Sequence, residues 1–282
     1  MINYSDPEAV QRRLDGLIAS VPKIIDFAVR KMITENRDGK GRTRELAGIV
    51  TLFSGGKDSQ VLAHLMRGWT DFYGHANTGI GIEGTRDYVR ATARAWGVPL
   101  IERSPRPERT YETYVLKHGF PGPGRHGHIF NRIKGDCFLQ IKDAVVDHPY
   151  RQRVLFVAGR RLTESARRER RKIPVWERDR SIAWVSPLRG WTNLDLTAYR
   201  LRYPDIPRNR IADEIDMSGE CLCGAFAQPG ELGLLRAYPP AADVVRQIDD
   251  LAIRALLAGV PATKCRWGRR PSDRPCIEGC NL

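Results

Sequence analysis

The chain has 282 residues, and its 46 lysines and arginines against 33 aspartates and glutamates give a formal net charge of +13. This length allows one large hydrophobic core, or a main domain with a smaller appendage. No apolar run approaches the roughly 18 residues of a membrane span, and the N-terminus lacks the basic and apolar regions of a signal peptide. We therefore expect a cytoplasmic protein with no membrane partner, and the charge favours an anionic partner such as a nucleic acid.

The first part of the chain has a helical pattern. Apolar residues recur at helical spacing through residues 6–36, which predicts one or two amphipathic helices, and the stretch 38–42 predicts a flexible turn. Farther along, short β-branched runs alternate with helical patterns, as is typical of a mainly parallel sheet covered by helices. We predict a doubly wound α/β fold with strands at 49–53, 72–77, 99–102, 154–158 and 182–185, and with helices at 86–96 and 138–146.

Residues 104–136 interrupt this alternation. The stretch is rich in proline and glycine, and it contains His118, His126 and His128 without a tight metal-ligand spacing. A loop of this length in a compact domain is commonly a lid or a substrate loop. We therefore predict a solvated substrate loop here rather than a metal site.

The most informative segment is 48–59, Gly-Ile-Val-Thr-Leu-Phe-Ser-Gly-Gly-Lys-Asp-Ser. A buried strand ends at a turn with two glycines, and a helical pattern follows at once. Glycines let backbone N–H groups approach phosphate oxygens, and a helix N-terminus attracts negative charge. Lys57 adds a cation, and Asp58 either holds the Mg²⁺ of a bound ATP or caps the helix. We predict a nucleotide-phosphate site formed by Ser54, Gly55, Gly56, Lys57, Asp58 and Ser59.

The spacing of this segment is not that of Walker A, but Ser-Gly-Gly-Lys-Asp-Ser resembles the PP-loop of the ATP pyrophosphatase superfamily. Further segments resemble its phosphoadenosine-phosphosulfate (PAPS) reductase branch. They are Asn-Thr-Gly at 77–79, Glu-Gly-Thr at 83–85 where the family has Pro-Glu-Thr, the Cys-x-x-x-x-Lys of 137–142, Gly-Arg-Arg-Leu-Thr-Glu-Ser-Ala-Arg-Arg at 159–168, and Ser-Pro-Leu with Trp-Thr-Asn-Leu-Asp within 186–195. The resemblance covers about residues 46–224 and implies an adenine nucleotide alpha hydrolase-like fold.

This resemblance adds residues to the nucleotide site. It implies that Thr78 and Gly79 contact the nucleotide. Arg160 and Arg161 follow a predicted strand at the same end of the sheet, where arginine can make bidentate contacts to phosphate. The basic run at 167–172 is either a solvated helix face or part of a channel for a polyanion.

Six cysteines in a cytoplasmic protein favour metal ligands or reactive thiols over disulfides. Cys221, Cys223, Cys276 and Cys280 form a plausible four-thiolate set, with Cys137 or Cys265 spare. Thiolates suit a [4Fe–4S] cluster or Zn²⁺, and the resemblance favours the cluster. Cys137, at a predicted helix start, is expected to have a lowered pKa and to act as a ligand or a reactive thiol.

We expect an N-terminal helical segment at 1–43, a nucleotide-binding domain at 44–215 and a cysteine-rich region at 216–282. The resemblance implies an enzyme that uses ATP with Mg²⁺ to adenylate a substrate, for sulfur transfer to a nucleic acid with the help of a sulfur-donor protein. Lys57, Asp58 and Cys137 are the expected catalytic residues. Two alternatives remain: a reductase of PAPS or adenylyl sulfate, and an inactive nucleotide- or DNA-binding module. Residues 275–282 differ from the Glu-Cys-Gly-Leu-His tail of assimilatory PAPS reductases.

Overall fold

The computed structural model describes residues 6–35, 41–164, 174–179 and 182–268. A six-stranded sheet forms the centre, in the order β3-β2-β1-β4-β6-β5. All neighbouring strands pair in parallel except β5, which runs antiparallel to β6 at the edge. The strands are β1 (Glu45–Leu52), β2 (Phe72–Ala76), β3 (Leu100–Arg103), β4 (Gln152–Val157), β5 (Trp176–Asp179) and β6 (Ile182–Val185).

Helices cover the sheet, and the first of them continues into a wider π-type helix, Ala28–Thr34. None of the helices in the described part of the chain is long and apolar enough to cross a membrane. The α-helices are α1 (Pro7–Phe27), α2 (Lys57–Leu65), α3 (Glu83–Ala95), α4 (Tyr111–His118), α5 (His126–Arg132), α6 (Lys134–Asp143), α7 (Asn193–Arg202), α8 (Arg210–Glu214), α9 (Glu231–Ala237) and α10 (Ala242–Leu257).

The predicted fold class is confirmed. Each of the five predicted strands overlaps an observed parallel strand, and the helices predicted at 86–96 and 138–146 overlap α3 and α6. The prediction of a substrate loop at 104–136 is wrong, because α4, α5 and the start of α6 occupy much of this stretch. Its prolines and glycines separate short helices instead of forming one long loop. β5 was missed because four residues at a sheet edge carry too short a pattern to be recognised.

Alternate residues of β4 pack on opposite faces of the sheet. Leu155 and Val157 belong to a core formed with α1, α2 and α7, whereas Val154 and Phe156 pack against α6. A further core joins α4 and α5 to α10. The region after residue 216 therefore shares its hydrophobic core with helices that precede it in the chain.

The Trp-Thr-Asn-Leu-Asp segment fixes the start of α7. Thr192 and Asp195 form a capping box, in which each side chain accepts a hydrogen bond from the other residue's backbone N–H. Asp195, which is 3% exposed, also accepts hydrogen bonds from Arg13 of α1 at 2.7 and 2.8 Å. One carboxylate thus caps a helix and attaches the N-terminal helix to the domain.

We expect Asp195→Asn to lower the free energy of unfolding by about 2 kcal/mol at pH 7, because charge-assisted hydrogen bonds and part of the cap are lost. Burial raises the pKa of Asp195, but hydrogen bonds from Arg13 and Thr192 outweigh it and hold the pKa below its ordinary value. A depressed pKa stabilises the fold above the unfolded value of about 3.9, and this contribution disappears as the pH falls through the folded value.

Urea unfolding at a series of pH values measures this effect. The difference between wild type and Asp195→Asn should narrow below about pH 4. Asp15→Asn is the matched control, because Asp15 pairs with Arg202 at an exposed site and should contribute less than about 1 kcal/mol. An equal decrease in the free energy of unfolding in the two variants would contradict this account of Asp195.

Candidate active site

The loops after β1 and β4 face each other at the carboxyl edge of the sheet. β1 and β4 are neighbours, but the next strands along the chain lie on opposite sides of this pair, so a crevice opens between them. The two loops approach closely: a Cβ placed on Gly159 would lie 3.5 Å from the carbonyl carbon of Asp58. A cavity of about 500 Å³ lies here. Its volume suits a ligand of nucleotide size.

The loop after β1 is held by its own hydroxyl groups. Ser59 donates a hydrogen bond to the Gly56 carbonyl at 2.9 Å, and Ser54 donates to Ser59 at 3.2 Å. Gly55 has a φ of +80°, and a Cβ on it would lie only 2.8 Å from Thr85 Cγ2, so glycine is required there. Gly56 precedes α2 without a side-chain cap. The first N–H groups of α2 are therefore available to an anion.

Lys57 forms an ion pair in the wall of the cavity. Its Nζ lies 2.6 Å from Oδ1 of Asp216, whose side chain is 85% exposed. Asp216 has a φ of +54°, a conformation that Asp and Asn tolerate better than most other residues. An exposed pair of this kind contributes little to stability. An anionic ligand can therefore take the place of Asp216 as the partner of Lys57.

Asp58 is paired across the crevice with Arg161. The guanidinium donates to both carboxylate oxygens, at 2.9 and 3.0 Å, and also to Asn193 Oδ1 at 2.8 Å. Arg161 is only 4% exposed. The structure therefore places Asp58 and Arg161 in a buried contact between the two loops. This arrangement favours a positioning role for both residues over the expected contacts of Asp58 with Mg²⁺ and of Arg161 with phosphate.

Arg160 is directed differently from its neighbour. It donates to Glu177 Oε1 at 2.6 Å and to Ser186 Oγ at 3.0 Å, and its guanidinium lies 5.8 Å from the centre of the Trp184 ring. One of its terminal nitrogens is buried without a hydrogen-bond partner in the described part of the chain. Arg160 lines the cavity, so its guanidinium adds positive charge to the cavity wall. The basic run at 167–172 lies outside the described residues.

Thr78 and Gly79 are not part of the cavity wall as described. The backbone N–H of buried Thr78 donates to Glu220 Oε1 at 2.9 Å, and the carbonyl of exposed Gly79 accepts a hydrogen bond from Gln247. Glu220 itself lines the cavity and lies 3.2 Å from His75 Nε2. Burial lowers the pKa of His75, but Glu220 outweighs this effect and raises it. The turn at 77–79 thus positions Glu220 rather than contacting the cavity.

Another wall of the cavity contains residues that sequence reasoning missed. Phe130, Lys134 and Phe138 line it from the successive helices α5 and α6, and Trp184 lines it from β6. Lys134 is only 7% exposed, yet it has no hydrogen bond or ion pair with any described residue. The spacing of four residues between Phe130, Lys134 and Phe138 is the signal that could have identified this face.

Cys137 differs from the expectation of a reactive thiol with a lowered pKa. It lies in the first turn of α6, but its side chain is fully buried. Burial and the neighbouring Asp136 raise its pKa to about 12. Such a thiol remains protonated at neutral pH and is a poor nucleophile. The lowered pKa was therefore a wrong expectation, and the environment favours a packing role.

Cys221 and Cys223 are neighbours in space as well as in sequence. A hydrogen bond from Cys223 lowers the pKa of Cys221 despite its burial, and the charge of Lys134 acts in the same direction. Thiolates are the form of cysteine that binds metals, so this pair fits the first half of the predicted four-thiolate site. Cys265 instead donates a hydrogen bond to the Val260 carbonyl at 3.4 Å.

Cys276 and Cys280 lie outside the described residues. Within those residues, no group of three or more His, Cys, Asp or Glu side chains could hold a metal. The chain does return to the cysteine pair before it reaches the tail, because Trp267 donates a hydrogen bond to the Leu222 carbonyl at 2.8 Å. The four-thiolate site therefore stays a prediction, and the position of Trp267 is compatible with it.

Protein purified without oxygen is expected to contain iron and acid-labile sulfide. Cys221→Ser and Cys276→Ser should each lose both, because a cluster needs its full set of thiolates. Cys265→Ser is the control and should keep them. Zinc in place of iron would retain the structural role without the redox role, and protein free of metal would contradict the site.

Replacing Lys57 and Asp216 should move nucleotide affinity in opposite directions. We expect Lys57→Ala to weaken ATP binding about 10- to 100-fold, since a charge-assisted contact is lost. Asp216→Asn should strengthen it, because the competing carboxylate is removed while asparagine tolerates the positive φ. Calorimetric titration with Mg·ATP measures the affinity of both variants. Lys23→Ala serves as a charge-matched control, because Lys23 is exposed. Unchanged affinity in Lys57→Ala would show that this loop does not bind the phosphates.

The family model of the phosphoadenosine phosphosulfate reductase domain matches residues 48–215, more than half of the chain. No curated protein matches the chain significantly. PAPS reductase from Candida auris in a phosphate complex is a structural neighbour, with 17% identity over 74% of this chain and 91% of that chain and a TM-score of 0.46. U34-tRNA thiolase NcsA from Methanococcus maripaludis with its [4Fe-4S] cluster is another structural neighbour. It has 12% identity over 81% of this chain and 78% of that chain, with a TM-score of 0.41. Yeast FAD synthetase in complex with FAD has 15% identity over 66% of this chain and 59% of that chain, with a TM-score of 0.35. On the family match, this chain belongs to the phosphoadenosine phosphosulfate reductase domain family.

Proposed function

We propose that this protein uses ATP to adenylate an acceptor and releases pyrophosphate, as the first step of sulfur transfer to a nucleic acid. The observation that carries the proposal is the cavity in which the uncapped start of α2 and Lys57 share a wall with Arg160 and Lys134. Oriented N–H groups and fixed cations of this kind suit a triphosphate better than a neutral ligand.

Each part of ATP has a matching surface in this cavity. The N–H groups of α2 and the Nζ of Lys57 suit phosphate oxygens, and the rings of Phe130, Phe138 and Trp184 suit a purine. Mg²⁺ binds nucleotides mainly through phosphate oxygens and keeps several water ligands. The metal can therefore enter with the nucleotide even though Asp58 is held by Arg161.

The proposed reaction is a displacement at the α-phosphorus of ATP. An acceptor oxygen forms a bond to this phosphorus, the bond to the oxygen bridging the α- and β-phosphates breaks, and pyrophosphate leaves with the electron pair. Negative charge shifts toward the leaving pyrophosphate, where the N–H groups of α2 and Lys57 stabilise it. The terminal sulfur of a persulfide on a sulfur-donor protein then attacks the activated acceptor and displaces AMP. A second thiol of the donor cleaves the resulting S–S bond, which leaves the sulfur on the acceptor and a disulfide on the donor.

The position of the cysteines favours this reaction over reduction of PAPS or adenylyl sulfate. A reductase needs a thiol that reaches the sulfur of its substrate. Within the described residues no cysteine lines the cavity, and Cys137 is buried with a raised pKa. Cys276 and Cys280, outside those residues, are the thiols on which a reductase would depend. The net charge of +13 supports a nucleic acid as the acceptor.

Product analysis with three candidate substrates tests the proposal. With ATP, Mg²⁺, a persulfide donor and either DNA or tRNA, we expect AMP and pyrophosphate in equal amounts, and Lys57→Ala should form neither. ATP should also raise the melting temperature more than PAPS or adenylyl sulfate, since a hundredfold excess over Kd adds about 2.7 kcal/mol. Lys23→Ala is the control.

A different function would give different products. If PAPS or adenylyl sulfate stabilises the protein, and a thiol reductant then yields sulfite, the protein is a sulfonucleotide reductase. Absence of turnover with every nucleotide, together with normal ATP binding, would instead identify a binding module.

A further inference from the structure

A second, smaller cavity lies on the other side of α5 and α6. It has a volume of about 240 Å³ and is separate from the site between β1 and β4. Three of its lining residues are arginines, and none of its lining residues is acidic. The lining consists of Arg106, Arg109, His128, Asn131, Arg132 and Leu139.

One buried carboxylate organises two of these arginines. Asp136 is fully buried and accepts hydrogen bonds from the backbone N–H of Arg106 at 2.9 Å and from its guanidinium, with a closest approach of 2.7 Å. Arg109 Nε lies 3.6 Å from the same carboxylate. Asp136 can neutralise only one of the two charges. It therefore holds both guanidinium groups at the cavity and leaves a net positive charge there.

Arg132 adds a third cation without a carboxylate partner. Its terminal nitrogen donates to the Glu108 carbonyl and to Thr113 Oγ1, and its Nε is buried with no hydrogen-bond partner in the described part of the chain. No described residue forms an ion pair with Arg132. Burial lowers the pKa of nearby His118, and the positive charges of Lys117 and Arg132 lower it further. The electrostatic field around the cavity is thus positive.

The acidic groups nearest to these arginines do not cancel this field. Glu108 and Asp143 act on Arg106 from a distance, and Asp143 is paired with Lys142. Neither of them lines the cavity. An anion with several acceptor oxygens can pair with the guanidinium groups of Arg109 and Arg132, which both line the cavity.

The two cavities share the wall formed by α5 and α6. Phe130, Lys134 and Phe138 face the site between β1 and β4, whereas Asn131, Arg132 and Leu139 face the basic cavity. Arg106 and Arg109 follow β3, and parallel strands end at the same edge of the sheet. Arg106 and Arg109 therefore lie toward the same edge of the sheet as the loops that line the larger cavity.

We propose that the cavity of Arg106, Arg109 and Arg132 binds a backbone phosphate of the nucleic acid on which the enzyme acts. This inference rests on the proposed function and names where its acceptor docks. Arg106 and Arg109 are about half exposed, at 52% and 44%, which suits a polymer that remains in solvent better than an enclosed small molecule. Arginine binds phosphodiesters in bidentate fashion, and such contacts position a strand without reading its sequence.

Fluorescence anisotropy with a labelled single-stranded oligonucleotide tests the proposal on the full chain. We expect Arg109→Gln to weaken binding several-fold and Arg109→Gln with Arg132→Gln to weaken it at least tenfold. The slope of log K against log salt should become less steep by about 1.5, because two phosphate contacts are lost. Arg94→Gln is the matched control. Arg94 is exposed at the C-terminal end of α3, toward the opposite edge of the sheet.

ATP binding is measured on the same preparations, because it depends on the other cavity. Unchanged ATP affinity with weakened oligonucleotide binding supports the inference. The inference would be overturned if Arg94→Gln and the double variant lost oligonucleotide affinity equally, or if neither lost any. If wild-type protein converts ATP to AMP but binds no oligonucleotide at low salt, the inference fails while adenylation stands.

A further measurement distinguishes a small phosphate compound from a nucleic acid as the ligand of the basic cavity. ATP-saturated protein is melted with increasing inorganic phosphate. Suppose that phosphate raises the melting temperature, that Arg109→Gln abolishes this effect, and that the protein does not bind the oligonucleotide. The cavity would then bind a small ligand, and the proposal of a nucleic-acid phosphate would be overturned.

Discussion

The ion pair between Asp58 and Arg161 joins the two loops on which the site depends. Parallel strands β1 and β4 are hydrogen-bonded along their length, but the chain continues from them to strands on opposite sides of the pair. Two hydrogen bonds from a buried guanidinium connect α2 to the loop after β4 across this divergence. Loss of Asp58 would leave the buried charge of Arg161 without its carboxylate partner, at a cost of about 3–5 kcal/mol. The width of the crevice is therefore set by this contact.

Charges with incomplete partners are concentrated around that crevice. Lys57 is paired only with an exposed carboxylate, Arg160 keeps a buried nitrogen without a described partner, and Lys134 has neither hydrogen bond nor ion pair among the described residues. Elsewhere, buried ionic groups such as Asp195 and Asp136 are well satisfied. A fold retains unsatisfied cations only at a cost, so the presence of three such cations in the wall of this cavity favours an anion as its ligand.

The helices α5 and α6 form a wall shared by the site between β1 and β4 and the basic cavity. One face presents aromatic rings and Lys134 to the site between β1 and β4, and another presents Arg132 to the basic cavity. A ligand bound in either cavity contacts the same pair of helices.

Sequence by itself determined five of the six strands and the family, and it predicted the nucleotide loop, because these depend on local patterns: apolar runs, ordered short motifs, and two glycines at a helix start. Asp195 lies in one of these motifs, but its capping role and its contact with Arg13 came from the structure. Only the tertiary structure decided which motif residues face the cavity. Asp58 and Arg161 lie far apart in the chain but neutralise each other, Thr78 is buried behind Glu220, and burial makes Cys137 unreactive. Lys134 became a site residue because two helices, predicted as a loop, bring it into the cavity wall. Burial and long-range pairing set these roles, and neither is encoded in local spacing.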